Sequence, residues 1–219
     1  VRIDLEQAIK EGRYTREFLE QQKKQTTTKD WKRYYLVLFP AANEFTYFKP
    51  QKYVYLPRKL SYYGAIDPSL GETKKSSKSG IIVLGRDEKD GQIYEVDSVI
   101  EQIGPDEAIR VMFNFPYQFQ RFVFEAIQFQ KYFLHMTQEK SKQEKRYIPF
   151  EGITQRKNKT ERIESLEPVI NTGQILFKGD NELWDEMSEY PNTDFLDGLD
   201  ALEMSYRTII AGDVDFGFV

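Results

Sequence analysis

The chain has 219 residues, 40% of them hydrophobic and 15% aromatic, with 31 Lys and Arg against 35 Asp and Glu for a formal net charge of -4. That supply of apolar side chains fills a substantial core and excludes a disordered chain, and no apolar run approaches the ~18 residues of a membrane span. The absence of cysteine excludes disulfides, thiolate zinc sites and cysteine nucleophiles, and a single histidine, His135, without a G-x-S-x-G elbow argues against serine-histidine catalysis.

Residues 1 to about 28 predict a polar helical segment: Leu5, Ile9, Tyr14, Phe18 and Leu19 stand among many Lys, Glu and Gln, and Gln25-Thr26-Thr27-Thr28 closes it. Residues 30 to 57 are rich in aromatics and proline, in strand-like pieces such as Tyr34-Tyr35-Leu36-Val37-Leu38-Phe39. Residues 1–57 are assigned to a connecting region and residues 58–219 to the main domain.

The main domain opens on Lys59-Leu60-Ser61-Tyr62-Tyr63-Gly64-Ala65-Ile66-Asp67. This strand ends at Asp67 because Pro68 cannot donate a ladder hydrogen bond and Gly71 permits a turn. Gly80-Ile81-Ile82-Val83-Leu84-Gly85 and Gly91-Gln92-Ile93-Tyr94-Glu95-Val96, joined through the turn signal Lys89-Asp90-Gly91, complete a three-stranded antiparallel meander. Gly104-Pro105-Asp106-Glu107 opens a helix with proline and acids in its first turn. Gln120-Arg121-Phe122-Val123-Phe124-Glu125 predicts a strand with a carboxylate at its tip, followed by a helix from about Ile127 that carries His135 on its surface. Then come a strand near Arg146 to Phe150, a helix from about Asn158 to Asn171, the short strand Ile175-Leu176-Phe177 and two acidic helices.

Four carboxylates stand out in this order. Asp67 and Glu125 each end an apolar strand, and a buried strand that ends in Glu is costly unless the charge is paired or metal-bound. Asp197 and Asp200 are three apart, so a helix beginning near Phe195 puts them on one face, where like charges repel unless a hard divalent cation compensates them. Taken alone, that run equally fits a helix N-terminus whose dipole gathers acids. The crevice outside the strand ends is where open α/β sheets bind ligands. Asp97 and Glu101 read instead as a strand's exit to solvent, Asp106 and Glu107 as a helix start, the acids from Asp180 to Glu189 as a helix face, and Trp31 and Trp184 as packing residues.

Three antiparallel strands followed by helix, strand, helix, strand and helix make an α/β fold of the ribonuclease H-like class, a mixed sheet of meander plus parallel strands flanked by helices. Within that frame the sequence resembles the C-terminal nuclease domain of the large terminase subunit, the DNA-packaging motor of tailed bacteriophages and related viruses. The resemblance rests on Gly64-Ala65-Ile66-Asp67-Pro68-Ser69-Leu70-Gly71 and on Phe122-Val123-Phe124-Glu125 with Gln130 following. It continues through Lys159-Thr160-Glu161-Arg162-Ile163 to Leu166, Pro168 and Gly173, then Tyr190-Pro191 and Asp197-Gly198-Leu199-Asp200-Ala201-Leu202, in the family's order over about residues 60–206. One position departs from the pattern. The family often carries two adjacent acids, or a histidine beside an acid, before the final Asp-Ala; here Leu196 precedes Asp197, which leaves open how Asp197 and Asp200 divide their roles.

The resemblance implies a metal-dependent endonuclease that cuts concatemeric double-stranded viral DNA during genome packaging. Asp67 would bridge two Mg2+ or Mn2+ ions about 3.5–4 Å apart, with Glu125 on one side and Asp197 and Asp200 on the other, clamping the attacking water and the leaving oxygen. It further implies products with a 5'-phosphate and a 3'-hydroxyl. No G-x-x-x-x-G-K-[ST] phosphate loop occurs, so the family's ATPase domain is expected upstream on the same polypeptide, with residues 1–57 as its tail and linker. The portal protein and the small terminase subunit are the other implied partners. The implied location is the host cytoplasm, transiently at the procapsid portal, with no membrane partner.

A net charge of -4 opposes DNA binding by the chain as a whole. Phosphate contact is therefore expected from local clusters: Lys74, Lys75 and Lys78 after Asp67, and Lys157 and Lys159 with Arg156, the run from Lys140 to Arg146 being a further candidate. Each of these lysines also reads as an ordinary solvated surface residue. Two other readings stay open: another ribonuclease H-like enzyme, such as a junction resolvase or transposase core, and a non-catalytic module docking DNA or the portal.

Overall fold

The chain's structure, a computed structural model, describes residues 5–27, 31, 35, 47–69, 78–125, 130–155, 157–193 and 195–213. In chain order its elements are α1 (Leu5–Lys10), α2 (Arg16–Gln25), β1 (Gln51–Lys52), β2 (Leu60–Asp67), β3 (Ser79–Asp87), β4 (Ile93–Glu101), α3 (Pro105–Asn114), β5 (Phe119–Glu125), α4 (Gln130–Glu144) and β6 (Phe150–Ile153). The remainder are α5 (Lys159–Glu164), α6 (Glu167–Asn171), β7 (Ile175–Phe177), α7 (Glu182–Glu189) and α8 (Asp197–Asp213).

The strands form one seven-stranded sheet in the order β1-β7-β4-β3-β2-β5-β6. β2, β3 and β4 are the expected antiparallel meander, turned at Gly91, whose φ of 78° suits glycine. β5 runs parallel to β2, β6 parallel to β5, and β7 parallel to β4. This is the mixed, helix-flanked sheet that the sequence predicts. The middle of the sheet is β3, where Ile81, Ile82, Val83 and Leu84 have no exposed surface. Such an unbroken apolar run belongs to a strand covered on both faces. Ile82 and Leu84 pack with Leu183 and Met187 of α7 and Leu199 and Leu202 of α8. Ile81 and Val83 face the other way, against Ala108, Ile109 and Met112 of α3 and Phe133 of α4.

Three local expectations shift. The strand expected at residues 146–150 forms at Phe150–Ile153, because Arg146 instead ends α4, its N–H donating to Ser141 O at 3.1 Å, and turns its guanidinium onto the carbonyls of Phe113 and Tyr117. The single helix expected over residues 158–171 is two short ones, α5 and α6. Pro168 cannot donate to the carbonyl of Glu164 and its ring crowds that carbonyl, so the helix ends and restarts. The last helix begins at Asp197 rather than near Phe195, with Asp200 N–H donating to Leu196 O at 2.9 Å. The sheet also draws on residues ahead of position 58: Phe48 is 1% exposed in the same core as β7, and Gln51 and Lys52 pair with Leu176 and Phe177. Among the described residues no helix is long and apolar enough to cross a membrane.

Candidate functional site

Parallel pairing brings the first two acids together. Ile66 of β2 stands opposite Phe124 of β5, so the next residue on each strand, Asp67 and Glu125, emerges side by side at the same end of the sheet. α8 lies across β2 and β3 and carries Asp197 and Asp200 in its first turn over that end. One carboxylate oxygen each from Asp67, Glu125 and Asp200 lie within 4.8 Å of one another. Asp197 joins the group through a shared partner, the Lys159 ammonium, which donates to Asp67 Oδ2 at 2.9 Å and to Asp197 Oδ1 at 2.8 Å. All four acids expected to form the site are thus connected, although they come from three separate elements.

Two close contacts seat α8. Gly80 of β3 is the ladder partner of Asp67, and a Cβ on Gly80 would lie 2.2 Å from the backbone oxygen of Asp197. A Cβ on Gly198 would lie 2.2 Å from Ile100 Cδ1. At Gly80 the obstructing atoms are backbone, so only glycine lets the helix approach the sheet this closely; at Gly198 they are the side-chain ends of Ile100 and Glu186. Glu186 of α7 then accepts from Leu199 N–H at 3.0 Å and from Gly198 N–H at 3.4 Å, satisfying donors that a helix start leaves open. Burial pushes the Glu186 carboxyl up to about 7, against these two backbone donors and with repulsion from Asp197.

The cations come from α5. Asn158 caps it by accepting from Glu161 N–H at 2.8 Å, and Lys159 and Arg162, three residues apart, point from one face into the acids. Arg162 donates from Nη2 to Asp200 Oδ1 and Oδ2 at 2.7 and 2.6 Å and from Nε to Oδ1 at 3.1 Å. It stands 3.9 Å from Glu125 Oε2 and also donates to the carbonyl of Lys157. Asp200 is 1% exposed and Arg162 5%, so this is a buried pair with its hydrogen bonds made.

Two cations do not fully compensate the cluster. Burial raises the Asp67 carboxyl to about 7; Lys159 opposes the rise, and Asp200 and Asp197 add repulsion to it. The Glu125 carboxyl is raised by burial and by Asp200, against Arg162 and Lys159. Burial works to lower Lys159, but Asp67 and Asp197 outweigh it and hold the ammonium firmly protonated. One ammonium shared among several carboxylates favours its own charge more than it favours any one of theirs. In addition, Asp197 Oδ2 is buried with no hydrogen-bond partner. A dense set of carboxylate oxygens, short of positive charge and with one buried oxygen unmatched, is a donor set that fits a hard divalent cation.

The expected phosphate-binding lysines fare differently. Lys159 is committed to Asp67 and Asp197 rather than to the surface. Lys78 pairs with Glu182 at 2.6 Å and lies over the Phe195 ring at 5.4 Å, and Lys157 is exposed. Lys74, Lys75 and Arg156 lie outside the described residues. In the 140–146 run, Lys140 and Lys142 pair with Glu144 and Glu139 on their own helix. His135 is exposed on α4. Sequence reasoning missed Arg162, Glu186 and Glu203. Glu203 lies one turn beyond Asp200 on α8, with Oε2 buried and without a hydrogen-bond partner and Oε1 3.5 Å from Arg207 Nε. A basic pair three apart on a short helix whose neighbour Ile163 is fully buried was the available signal for Arg162.

No protein-family model and no curated protein matches the sequence. By structure, the large terminase of the thermophilic bacteriophage D6E superposes on 90% of this chain with a TM-score of 0.65 at 15% identity. Only 54% of that protein is covered, so the chain spans about half its length. The nuclease domain of the P22 large terminase matches 74% of this chain and 89% of its own, with a TM-score of 0.52 and 12% identity. The large terminase nuclease domain of bacteriophage SPP1, solved with bound Mn, matches 73% of this chain and 95% of its own, with a TM-score of 0.50 and 12% identity. The seven-stranded mixed sheet flanked by helices is therefore the ribonuclease H-like fold that these nuclease domains have.

Proposed function

We propose that this chain is the nuclease part of a large terminase and hydrolyses double-stranded DNA with the help of divalent metal ions. The observation that carries the reading is the convergence of Asp67, Glu125 and Asp200 to within 4.8 Å in a fold shared with terminase nuclease domains. Asp67, Glu125, Asp197 and Asp200 would hold Mg2+ or Mn2+, two ions in all. Bound there, such ions would supply a nucleophilic water at neutral pH and stabilise the leaving oxygen of the phosphodiester.

The protein's own residues have separate tasks in this reading. Asp67, between the other strand-borne acid and the helix-borne pair, would be the central metal ligand. Arg162 fixes the plane of the Asp200 carboxylate through its two-oxygen grip, so that the ligand keeps one orientation. Glu186 anchors the first turn of α8 and so the position of Asp197. Lys78 and Lys157 meet DNA phosphates at the rim. The ion pair from Lys78 to Glu182 is solvent-exposed, and such pairs are worth little, so a phosphate competes for the ammonium readily.

The biological setting is the cutting of concatemeric viral DNA during packaging, in the host cytoplasm and at the procapsid portal. An ATPase domain of the same polypeptide, the portal protein and the small terminase subunit are the partners. Residues 1–57 are the connection to that ATPase domain, with Phe48, Gln51 and Lys52 at its end built into the core and sheet of the nuclease part.

The test is plasmid DNA incubated with the chain and Mn2+ or Mg2+, with and without excess EDTA. Nicking or degradation that depends on metal and ends with chelation is expected. Undiminished cleavage in EDTA removes metal-assisted hydrolysis.

A further inference from the structure

The two cations in the cluster differ in how deeply they are held. Arg162 is 5% exposed, makes three hydrogen bonds to Asp200 and is tied by a fourth to the carbonyl of Lys157. Lys159 has a side chain 36% exposed to solvent, and both of its hydrogen bonds go to acids of the cluster, Asp67 and Asp197, with Asp200 Oδ2 at 3.7 Å. Its ammonium therefore occupies the position between strand-borne and helix-borne carboxylates that a bridging cation needs. An ammonium and a hard metal ion compete for the same carboxylate lone pairs. Lysine suits the exchange, being a compact charge on a flexible, readily hydrated stem, whereas the forked guanidinium of Arg162 does not.

We propose that Lys159 is a tethered counter-ion that holds Asp67, Asp197 and Asp200 together when metal is absent and is displaced from Asp67 and Asp197 when a divalent ion enters. This rests on the metal-nuclease reading above. Metal affinity is then lowered by the cost of removing the ammonium, and the site responds to metal only above a threshold that Lys159 sets. The same motion returns Lys159 to the rim, where its charge faces incoming phosphate instead of the acids.

The test compares Mn2+ binding to the wild-type chain and to Lys159→Met by isothermal titration calorimetry. Two hydrogen bonds from a charged donor are lost on displacement, so the variant is expected to bind Mn2+ about tenfold more tightly or better. Equal or weaker binding by Lys159→Met overturns the exchange while leaving the metal site standing. No Mn2+ binding by either protein removes the metal site itself and the exchange with it. A second measurement needs no variant: acetylation of Lys159 in the wild-type chain, followed by peptide mass spectrometry with and without Mn2+. Displacement predicts that Lys159 is protected without metal and reacts several-fold faster with it, while Lys157 is unchanged. Reactivity of Lys159 that stays level or falls on adding Mn2+ overturns the proposal.

Discussion

The strand-borne and helix-borne halves of the carboxylate cluster are held by opposite means. Asp67 and Glu125 are placed at the strand ends by backbone pairing, each with a side chain 16% exposed, and burial leaves both carboxyls raised although Lys159 donates to Asp67 and Arg162 stands 3.9 Å from Glu125. Asp200 is 1% exposed and is met by a guanidinium that covers both its oxygens. One half is opposed by its own charge in the folded state; the other is folded around a cation. A site built this way keeps its demand for positive charge at the solvent side, where an ion arrives, and its permanent neutralisation at the core side.

That contrast is open to direct attack. The largest expected effect is on chemistry: Asp67→Asn or Glu125→Gln should reduce metal-dependent plasmid cleavage by more than about a hundredfold, beyond what losing an outer-shell partner costs. Because burial opposes the charge of Asp67, the metal-free Asp67→Asn protein should melt no lower than wild type at pH 7.5; a clear drop would make Asp67 a structural acid.

Arg162→Ala should do the reverse, costing about 3–5 kcal/mol in urea unfolding by stripping the buried Asp200 carboxyl of its three hydrogen bonds and leaving only Lys159, at 3.7 Å, near it. Adding Asp200→Asn should restore part of the loss, and no recovery would mean that Arg162 acts through packing. A smaller effect is the pH dependence of the metal-free protein. Asp67 and Glu186 have folded-state values near 7, above the ordinary carboxylate range. Between about pH 4 and pH 7 the folded chain therefore keeps protons that the unfolded chain has released, so their contribution to stability falls as pH rises through that window. In EDTA, melting temperature should decline from pH 5 to pH 7.5, with a shallower decline in Asp67→Asn. Identical slopes would remove Asp67 as a cause. Smallest of all, Lys157→Ala should leave stability within about 0.5 kcal/mol while reducing the salt dependence of DNA binding by about one ion. An unchanged salt slope would remove Lys157 from the DNA contact.

The acids were legible in the sequence because strand ends announce themselves locally. Pro68 stops β2 one residue past Asp67, and the apolar run through Phe124 fixes where Glu125 falls. The spacing of Asp197 and Asp200 likewise needs only helical geometry. What supports the acids was not legible. Arg162 meets Asp200 across 38 positions of sequence, and Glu186 meets α8 only because a turn folds α7 back onto it. Lys159 carries the charge of a DNA-binding residue, and charge does not say whether the side chain faces solvent or a carboxylate cluster. β1 escaped as well: two residues have no periodicity, and Gln51 and Lys52 join the sheet only because β7 offers them an edge.

The bare backbone at Gly80 gives this site an unusual kind of fragility. α8 is a 17-residue rod, about 25 Å long, whose last turns are fixed in the core by Ile209 and whose first turn rests directly on the main chain of β3. A single methyl group at position 80 acts as a wedge beneath the leading end and tips the rod about its anchored end. Asp197 and Asp200 then rise away from Asp67 and Glu125 while every carboxylate remains present. The opening between strand tips and helix is thus set by van der Waals contact between two backbones, at a residue that bears no charge and touches no ion.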